Sequence, residues 1–224
     1  MQVVLGLDRA RRAPGKTWRQ ALGWDIAVTV AECTLRTFFL YRIEGAHRVP
    51  RFGPVLFVSN HESYLDPVVN GVACKDRQAG YLARESLFVG PFGRLIRALG
   101  AIPLKERSDM AAIRAAISEL QAGRCVIIYP EGGRSEDGTV GPFQRGAALI
   151  LRRAPVTVVP MAVDGPNRAW PPARKFPHLF RRLAVAIGDP ISSEVLLADP
   201  DDGLGRLREC IIALQADLRR RAGA

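Results

Sequence analysis

The sequence predicts an α/β fold in a single domain, and three observations carry that prediction. From Pro50 onward, short apolar runs alternate with helix-period stretches, each bounded by Gly, Pro or Asn, which is the rhythm of an α/β chain. The 224 residues suffice for one substantial core and are short for two. Hydrophobic residues make up 48% of the chain and charged residues 24%, the balance of a globular protein rather than a disordered one.

The elements follow in chain order. Residues 1–20 alternate basic and apolar positions without a continuous apolar stretch, so no secretory leader is expected. Residues 18–41 form the most apolar long segment, but Asp25, Glu32 and Arg36 interrupt any run able to cross a bilayer. Two readings stay open for it, a helix lying at a membrane interface and a helix packed on the core. Strands are predicted over residues 40–44, 55–59, 80–84, 100–104, 125–129, 156–163 and 183–187, each a short apolar run with turn formers at its ends. Between the fourth and fifth strands, residues 108–121 read as a helix. Ser108 supplies a capping residue, Met110, Ile113, Ile117 and Leu120 recur at helical spacing, and Gly123 stops it. This helix is expected to be scaffold rather than site. Residues 165–182 break the pattern, because Pro166, Pro171, Pro172 and Pro177 exclude a regular helix or a central strand. Trp170, Phe176, Phe180 and five basic residues sit among these prolines. The segment could dip rings into lipid or stack on bases, and its plainest reading is a loop wrapped around the domain.

A formal charge of +10 favours polyanionic partners, namely nucleic acid, anionic lipid or phosphorylated small molecules. Arginine outnumbers lysine 28 to 4, which suits bidentate phosphate binding, although its plainer reading is a GC-rich genome. Cys33, Cys74, Cys125 and Cys210 stand far apart, with neither zinc-finger spacing nor a dense disulfide framework, so a reducing compartment fits. A nucleic-acid module is disfavoured, since neither a single-strand-binding signature nor an isolated basic tail is present.

Two segments carry recognisable chemistry. The first, Asn60-His61-Glu62-Ser63-Tyr64-Leu65-Asp66-Pro67, follows the apolar run 55–59 and thus sits where open α/β sheets bind ligands, at a strand's C-terminal end. Pro67 makes Asp66 a candidate helix N-cap. Five residues of irregular chain can fold the His61 ring back so that Nδ1–H bonds the Asp66 carboxylate, leaving Nε2 to accept a hydroxyl proton. The alternative is a set of loop polar groups that merely cap a helix. A zinc-protease reading of His61-Glu62 fails for want of a histidine at position 65. The second segment, Tyr129-Pro130-Glu131-Gly132-Gly133-Arg134-Ser135, also follows an apolar run. Gly132 and Gly133 permit close approach of backbone to a ligand, and Arg134 offers a guanidinium fork for phosphate. Glu131 is placed to accept from a substrate hydroxyl or to organise Arg134.

Together these segments resemble the glycerolipid acyltransferases, a family that includes bacterial 1-acylglycerol-3-phosphate acyltransferases. The likeness runs over roughly residues 40–190 in four ordered blocks. His61 and Asp66, separated by four residues, match the first block. The second resembles Glu85, Leu87, Pro91, Gly93 and residues 100–107, the third is 129–135, and the fourth is Val158-Val159-Pro160-Met161-Ala162-Val163. Phe143-Gln144-Arg145-Gly146-Ala147 and Ile187-Gly188-Asp189-Pro190 are further family-like features.

The resemblance implies a mixed, mostly parallel central sheet flanked by helices, with residues 1–40 an interfacial helical segment and 41–224 the catalytic domain. It implies transfer of a fatty acyl group from acyl-CoA or acyl-ACP to a lysophospholipid hydroxyl, most directly 1-acylglycerol 3-phosphate to phosphatidic acid. His61 would be the base and Asp66 its orienter, with Ser63, Glu131, Gly132, Gly133 and Arg134 against the acceptor. No metal or cofactor is implied beyond the thioester co-substrate. The implied setting is an anionic membrane surface, on the cytoplasmic face of the inner membrane, with the protein peripheral or monotopic. Two departures matter. Gly133 stands where the family carries Thr, which leaves acceptor preference open. Glu106 stands where the phosphate-binding Arg is usual, so Arg107, or else Lys105, is the candidate for that role. Another acceptor (glycerol 3-phosphate or a lyso-aminolipid) and a non-catalytic lipid-binding relative remain the alternatives.

Overall fold

The computed structural model describes residues 14–105, 110–171, 173–198 and 200–223. The first helix among the described residues is α1 (Trp18–Phe38), started by a capping box in which Thr17 and Gln20 exchange hydrogen bonds. Strand β1 (Leu40–Glu44) and strand β2 (Val55–Ser59) follow, then α2 (Asp66–Ala73), β3 (Ala79–Arg84), α3 (Gly90–Ala98), β4 (Ala101–Leu104) and α4 (Met110–Gln121). The second half holds β5 (Cys125–Ile128), α5 (Arg145–Arg153), β6 (Thr157–Asp164), the single turn α6 (Pro166–Ala169), β7 (Arg182–Ile187), β8 (Ile191–Ser192), α7 (Ser193–Leu197) and α8 (Pro200–Gly223).

The strands form an eight-stranded sheet ordered β1-β7-β6-β2-β5-β3-β4, with β8 added to β6. Among the described residues only β6–β7 and β6–β8 are antiparallel. The mixed, mostly parallel sheet is thus the one anticipated. Each predicted strand is present to within a residue or so, and β8, two residues long, is the strand that sequence reading missed. Its pairing with Thr157 and Val158 gives it stability that two residues lack alone.

All five residues of β2 are buried, as expected of a central parallel strand covered on both faces. Alternation decides which face each joins. Leu56 and Val58 meet α4, α5 and α8 through Ile113, Leu120, Ile150, Leu207 and Ile211. Val55 and Phe57 meet the other layer, built from Leu35 of α1 and Val69 and Val72 of α2. Full burial of each such side chain contributes roughly 1.5–3 kcal/mol, so burial on both faces fixes this strand firmly in the sheet.

Helix α1 packs on the core along one face, as the second reading expected. Ala21, Trp24, Val28 and Leu35 are buried, and Trp24 Nε1 donates to the Lys75 carbonyl at 3.0 Å. On the other side Trp18, Ile26, Val30 and Phe38 are exposed. No helix among the described residues is long and apolar enough to cross a membrane. For residues 108–121 the helix is described from Met110, and the Ser108 cap lies outside the described residues.

Candidate active site

Both chemistry-bearing segments leave the sheet at the C-terminal ends of adjacent strands. Strands β2 and β5 are paired in parallel, Val58 opposite Ile128, so the chain after each turns out at the same edge. The loop after β2 is held from inside. Asn60 Nδ2 donates to the Val163 carbonyl (3.1 Å) and Val163 N–H returns to Asn60 Oδ1 (2.8 Å), fixing the loop to β6.

His61 Nδ1 lies 2.7 Å from Asp66 Oδ2. The same oxygen accepts from the backbone N–H of Glu62 (2.6 Å) and of Ser63 (2.8 Å), and Asp66 is fully buried. With the carboxylate as acceptor, Nδ1 carries the proton and the Nε2 lone pair remains for a substrate. His61 stacks on Tyr129, ring centroids 4.2 Å apart and planes at 22°. Tyr129 is itself half-buried, and desolvation pushes its phenol well above the usual range, while its oxygen accepts from Asn70 Nδ2 at 3.3 Å. The imidazole is therefore fixed at its edge by a carboxylate and across its face by a ring.

Three expectations need correction here. Asp66 is not the N-cap of α2, since Leu65 holds that place and Asp66 is the first helical residue ahead of Pro67. Its carboxylate turns back to His61 and the loop N–H groups instead of toward the helix. Ser63 does not face a substrate. Fully buried, it donates its hydroxyl to the Trp170 carbonyl at 2.7 Å and so ties the loop to the Pro-rich segment. Glu131 neither organises Arg134 nor offers a free oxygen. Its Oε1 accepts from His61 N–H (2.9 Å) and its Oε2 from Gly141 N–H (2.8 Å). Burial raises its carboxyl above the ordinary range, while these N–H groups draw it back down. Glu131 is thus the brace between the two loops.

Gly132, with φ of 71°, makes the turn that a side chain would strain, and a Cβ there would meet Gln144 Cγ at 3.2 Å. Next along the loop, the Arg134 guanidinium carbon lies 3.6 Å from the Tyr64 ring centroid. Its buried Nη1 has no hydrogen-bond partner among the described residues. A guanidinium stacked on one face and unpaired at its edge is well suited to take a ligand anion.

His61, Tyr64, Gly132, Gly133 and Arg134 line one cleft of about 340 Å³. Away from His61 its walls turn apolar, through Leu82, Leu104, Ile113, Ile128 and Ile150. Ile113 corrects a further expectation, because α4 is wall as well as scaffold. Arg84, which sequence reading did not single out, also lines the cleft, at the end of β3. Lys105 is exposed just beyond Leu104, whereas Arg107 lies outside the described residues.

Sequence reading also missed the anchorage of Glu62. The Glu62 carboxylate points away from the cleft and accepts from Gln215 Nε2 of α8 (2.6 Å) and from Asn60 Nδ2 (3.3 Å). Burial first, then the Asp66 and Asp164 carboxylates, push it up to about 8, against the pull of Asn167 N–H and Arg219. Gln215 also donates to the Gly138 carbonyl at 3.0 Å, so one α8 side chain holds both loops.

A family model described as Acyltransferase matches residues 41–164, more than half of the chain. The chain belongs to the acyltransferase family. The match contains both loops and every site residue predicted between them, while Gln215 and Arg219 fall beyond it. Among curated proteins, the chloroplastic 1-acyl-sn-glycerol-3-phosphate acyltransferase LPAT1 of Arabidopsis thaliana is 30% identical over 179 residues, 78% of this chain and 50% of its own. The 1-acyl-sn-glycerol-3-phosphate acyltransferase of Streptococcus pneumoniae is 34% identical over 152 residues, covering 66% of this chain and 54% of that one. The chain spans about half the length of the curated relatives it matches, at 50%, 46% and 57%. The acyltransferase fold is shared with the 1-acyl-sn-glycerophosphate acyltransferase PlsC of Thermotoga maritima. The two superpose with a TM-score of 0.78 at 21% identity, covering 97% of this chain and 89% of that one.

Proposed function

We propose that this acyltransferase-family chain moves a fatty acyl group from acyl-CoA or acyl-ACP to the free hydroxyl of a lysophospholipid, with 1-acylglycerol 3-phosphate as acceptor and phosphatidic acid as product. The observation that carries the reading is the 2.7 Å contact between His61 Nδ1 and the buried Asp66 carboxylate, at a cleft that also holds the unpaired edge of Arg134. The names of the relatives support the acceptor.

In the proposed reaction His61 Nε2 takes the proton of the acceptor hydroxyl as its oxygen attacks the thioester carbon. The imidazolium is stabilised by Asp66. Collapse of the tetrahedral intermediate breaks the carbon–sulfur bond, and the departing thiolate recovers the proton from His61. A thioester is already activated, so placing two substrates and moving one proton supplies most of the acceleration. Arg134 receives the acceptor phosphate, with Lys105 or Arg107 as a second cation. The apolar walls take an acyl chain.

Both substrates are amphiphiles, and the net charge of +10 favours anionic lipid. We place the protein on the cytoplasmic face of the inner membrane, peripheral or monotopic. There the exposed apolar side of α1 would lie at the interface, each surface-near Lys or Arg adding about 1 kcal/mol. Deleting α1 is a poor test, because Trp24 and Leu35 belong to the core. Exposed-face changes such as Ile26→Ser with Val30→Ser are cleaner, and vesicle sedimentation that stays at the parent level would discard α1 as an anchor.

The activity itself is tested by mass spectrometry of lipids made by purified protein from mixed donors and a panel of acceptors: 1-acylglycerol 3-phosphate, glycerol 3-phosphate and lyso-aminolipids. Phosphatidic acid as the main product supports the reading, and a different acylated acceptor replaces it. His61→Ala should lower turnover about 10²–10⁴-fold with the fold intact. Undiminished turnover would refute the base assignment.

A further inference from the structure

The Pro-rich segment between α6 and β7 carries features that acyl-transfer chemistry leaves unused. From Pro166 to Arg182 the sequence holds five basic residues and no acidic one. Two of the five are engaged internally, Arg168 with Asp164 and Arg182 with the Leu218 carbonyl. The other three, Arg174, Lys175 and Arg181, are exposed. Among them stand Phe176 and Phe180, 68% and 69% exposed, and Leu179 at 47%. Phe180 is also the one non-glycine residue with positive φ among the described residues, at 58°. That conformation is unfavourable for a residue bearing a Cβ, and here its ring gains no burial in return.

The loop is fixed to the rest of the protein. Phe180 N–H donates to the Phe38 carbonyl (2.7 Å) and Leu40 N–H to that of Arg181 (3.1 Å). These bonds bring the exposed side chains of Phe38 and Leu40 beside Leu179 and Phe180 where α1 ends, with Phe176 four residues back along the same loop. Strand pairing sets the direction. Ala184 of β7 lies opposite Asp164 at the end of β6, and Ser59 at the end of β2 lies opposite Met161. The loop therefore stands at the sheet edge from which the His61 loop leaves. Trp170, in the same segment, accepts the Ser63 hydroxyl and tilts on Tyr64, ring centroids 5.6 Å apart.

The geometry points to residues 173–181, together with the last turn of α1, as a bilayer-docking surface that seats the cleft edge on anionic lipid. The inference rests on the lipid acceptor proposed above. Rings and aliphatic groups would enter the boundary between headgroups and acyl chains while the three cations meet lipid phosphates. Lipid fits better than nucleic acid, because Leu40 and Leu179 offer no stacking face.

The test compares the full chain with a Phe176→Ser and Phe180→Asn double variant, Asn being tolerant of the left-handed backbone. Flotation with vesicles of phosphatidylglycerol and phosphatidylethanolamine should show about a tenfold loss of affinity at unchanged melting temperature, the scale of two rings leaving the interface. Parent-level binding by the variant overturns the inference, as does tighter binding of the parent to a single-stranded oligonucleotide than to the vesicles. Should the double variant fail to fold, Phe176→Trp serves with brominated lipid. Quenching beyond that of the three native tryptophans is expected, and none would overturn the docking. Flotation needs no turnover, so a chain that docks through this loop but acylates no acceptor loses the proposed function and keeps the surface. One that acylates with docking indifferent to the variant loses only the surface.

Discussion

The loop after β2 and the loop after β5 face each other across the cleft, and they hold their polar groups differently. In the first, Asn60 is bonded twice to Val163, Asp66 Oδ2 receives two backbone N–H groups as well as His61, and the Ser63 hydroxyl is spent on Trp170. In the second, Glu131 braces the backbone, but Arg134 rests on the face of Tyr64 with Nη1 unpaired. The difference matches what each loop is asked to do on the proposed reading. A general base must already be aimed when the substrate arrives, since small misplacements are costly in rate. A phosphate-binding guanidinium gets its hydrogen bonds from the ligand, and pairing it internally would set a competitor against that ligand.

The comparison breaks most sharply at Asp66. Asp66→Asn keeps the shape but not the acceptor that selects the Nδ1–H tautomer, so kcat should fall about 10³–10⁴-fold with little change in either KM. A loss below tenfold in steady-state kinetics would mean the carboxylate is only a loop brace. On the opposite side, Arg134→Ala should act on binding. Loss of charge-assisted bonds worth about 1.5–3 kcal/mol should raise the acceptor KM about 10–150-fold, with the donor KM and thermal stability nearly unchanged. Equal rises in both constants would deny Arg134 a specific phosphate. Tyr129 sharpens the picture further. Tyr129→Phe retains the ring under His61 and should cost less than about threefold in kcat, whereas Tyr129→Leu removes the stacked face and should cost about tenfold, a difference of the order of one aromatic pair. Indistinguishable kcat values for the two variants would show that the stacking does not position the base.

What was legible from sequence divides along the same line between local and distant contacts. The positions of β1 and β2 follow from apolar runs closed by turn formers, and residues 61 and 66 meet because five residues of loop can bring them together. Sequence placed the end of β5 one residue late, at Tyr129, whose side chain turns out of the strand to lie under an imidazole. Ser63 and Glu131 sit in recognisable motifs, yet their hydrogen bonds go to Trp170 and Gly141, partners that no spacing rule names. Ile113 belongs to an ordinary amphipathic helix, and only the packing of α4 over β5 and α5 brings it to the cleft. Arg84 reads as one more basic residue at a strand end. Gln215 lies 153 residues from Glu62 in a helix whose sequence carries no motif, so that contact becomes visible only when the sheet has closed.

Glu62 offers the smallest kinetic effect and tests whether α8 sets the rigidity of the His61 loop. Its carboxyl is buried beside Asp66 and Asp164 and titrates at about 8, against 4.5 in its ordinary state. Between these values the folded chain keeps a proton that the unfolded chain has released, so stability must fall as pH rises through the window. The contribution is complete below about pH 4.5 and gone above about pH 8. Glu62→Gln cannot titrate but preserves an oxygen for Gln215, and should flatten that fall while changing kcat less than about threefold. Thermal unfolding at about pH 5 and pH 8 reads it, at about 2–4 °C per kcal/mol for a chain of this size. Parent and variant share every other titratable group, so the difference between the two slopes isolates Glu62. Identical slopes would mean that Glu62 stays ionised in the fold, its charge balanced by Gln215, Asn60 and Arg219. In that case the loop would be tied to α8 by an anion, and Glu62→Gln would weaken the tie at every pH instead of only above about 8.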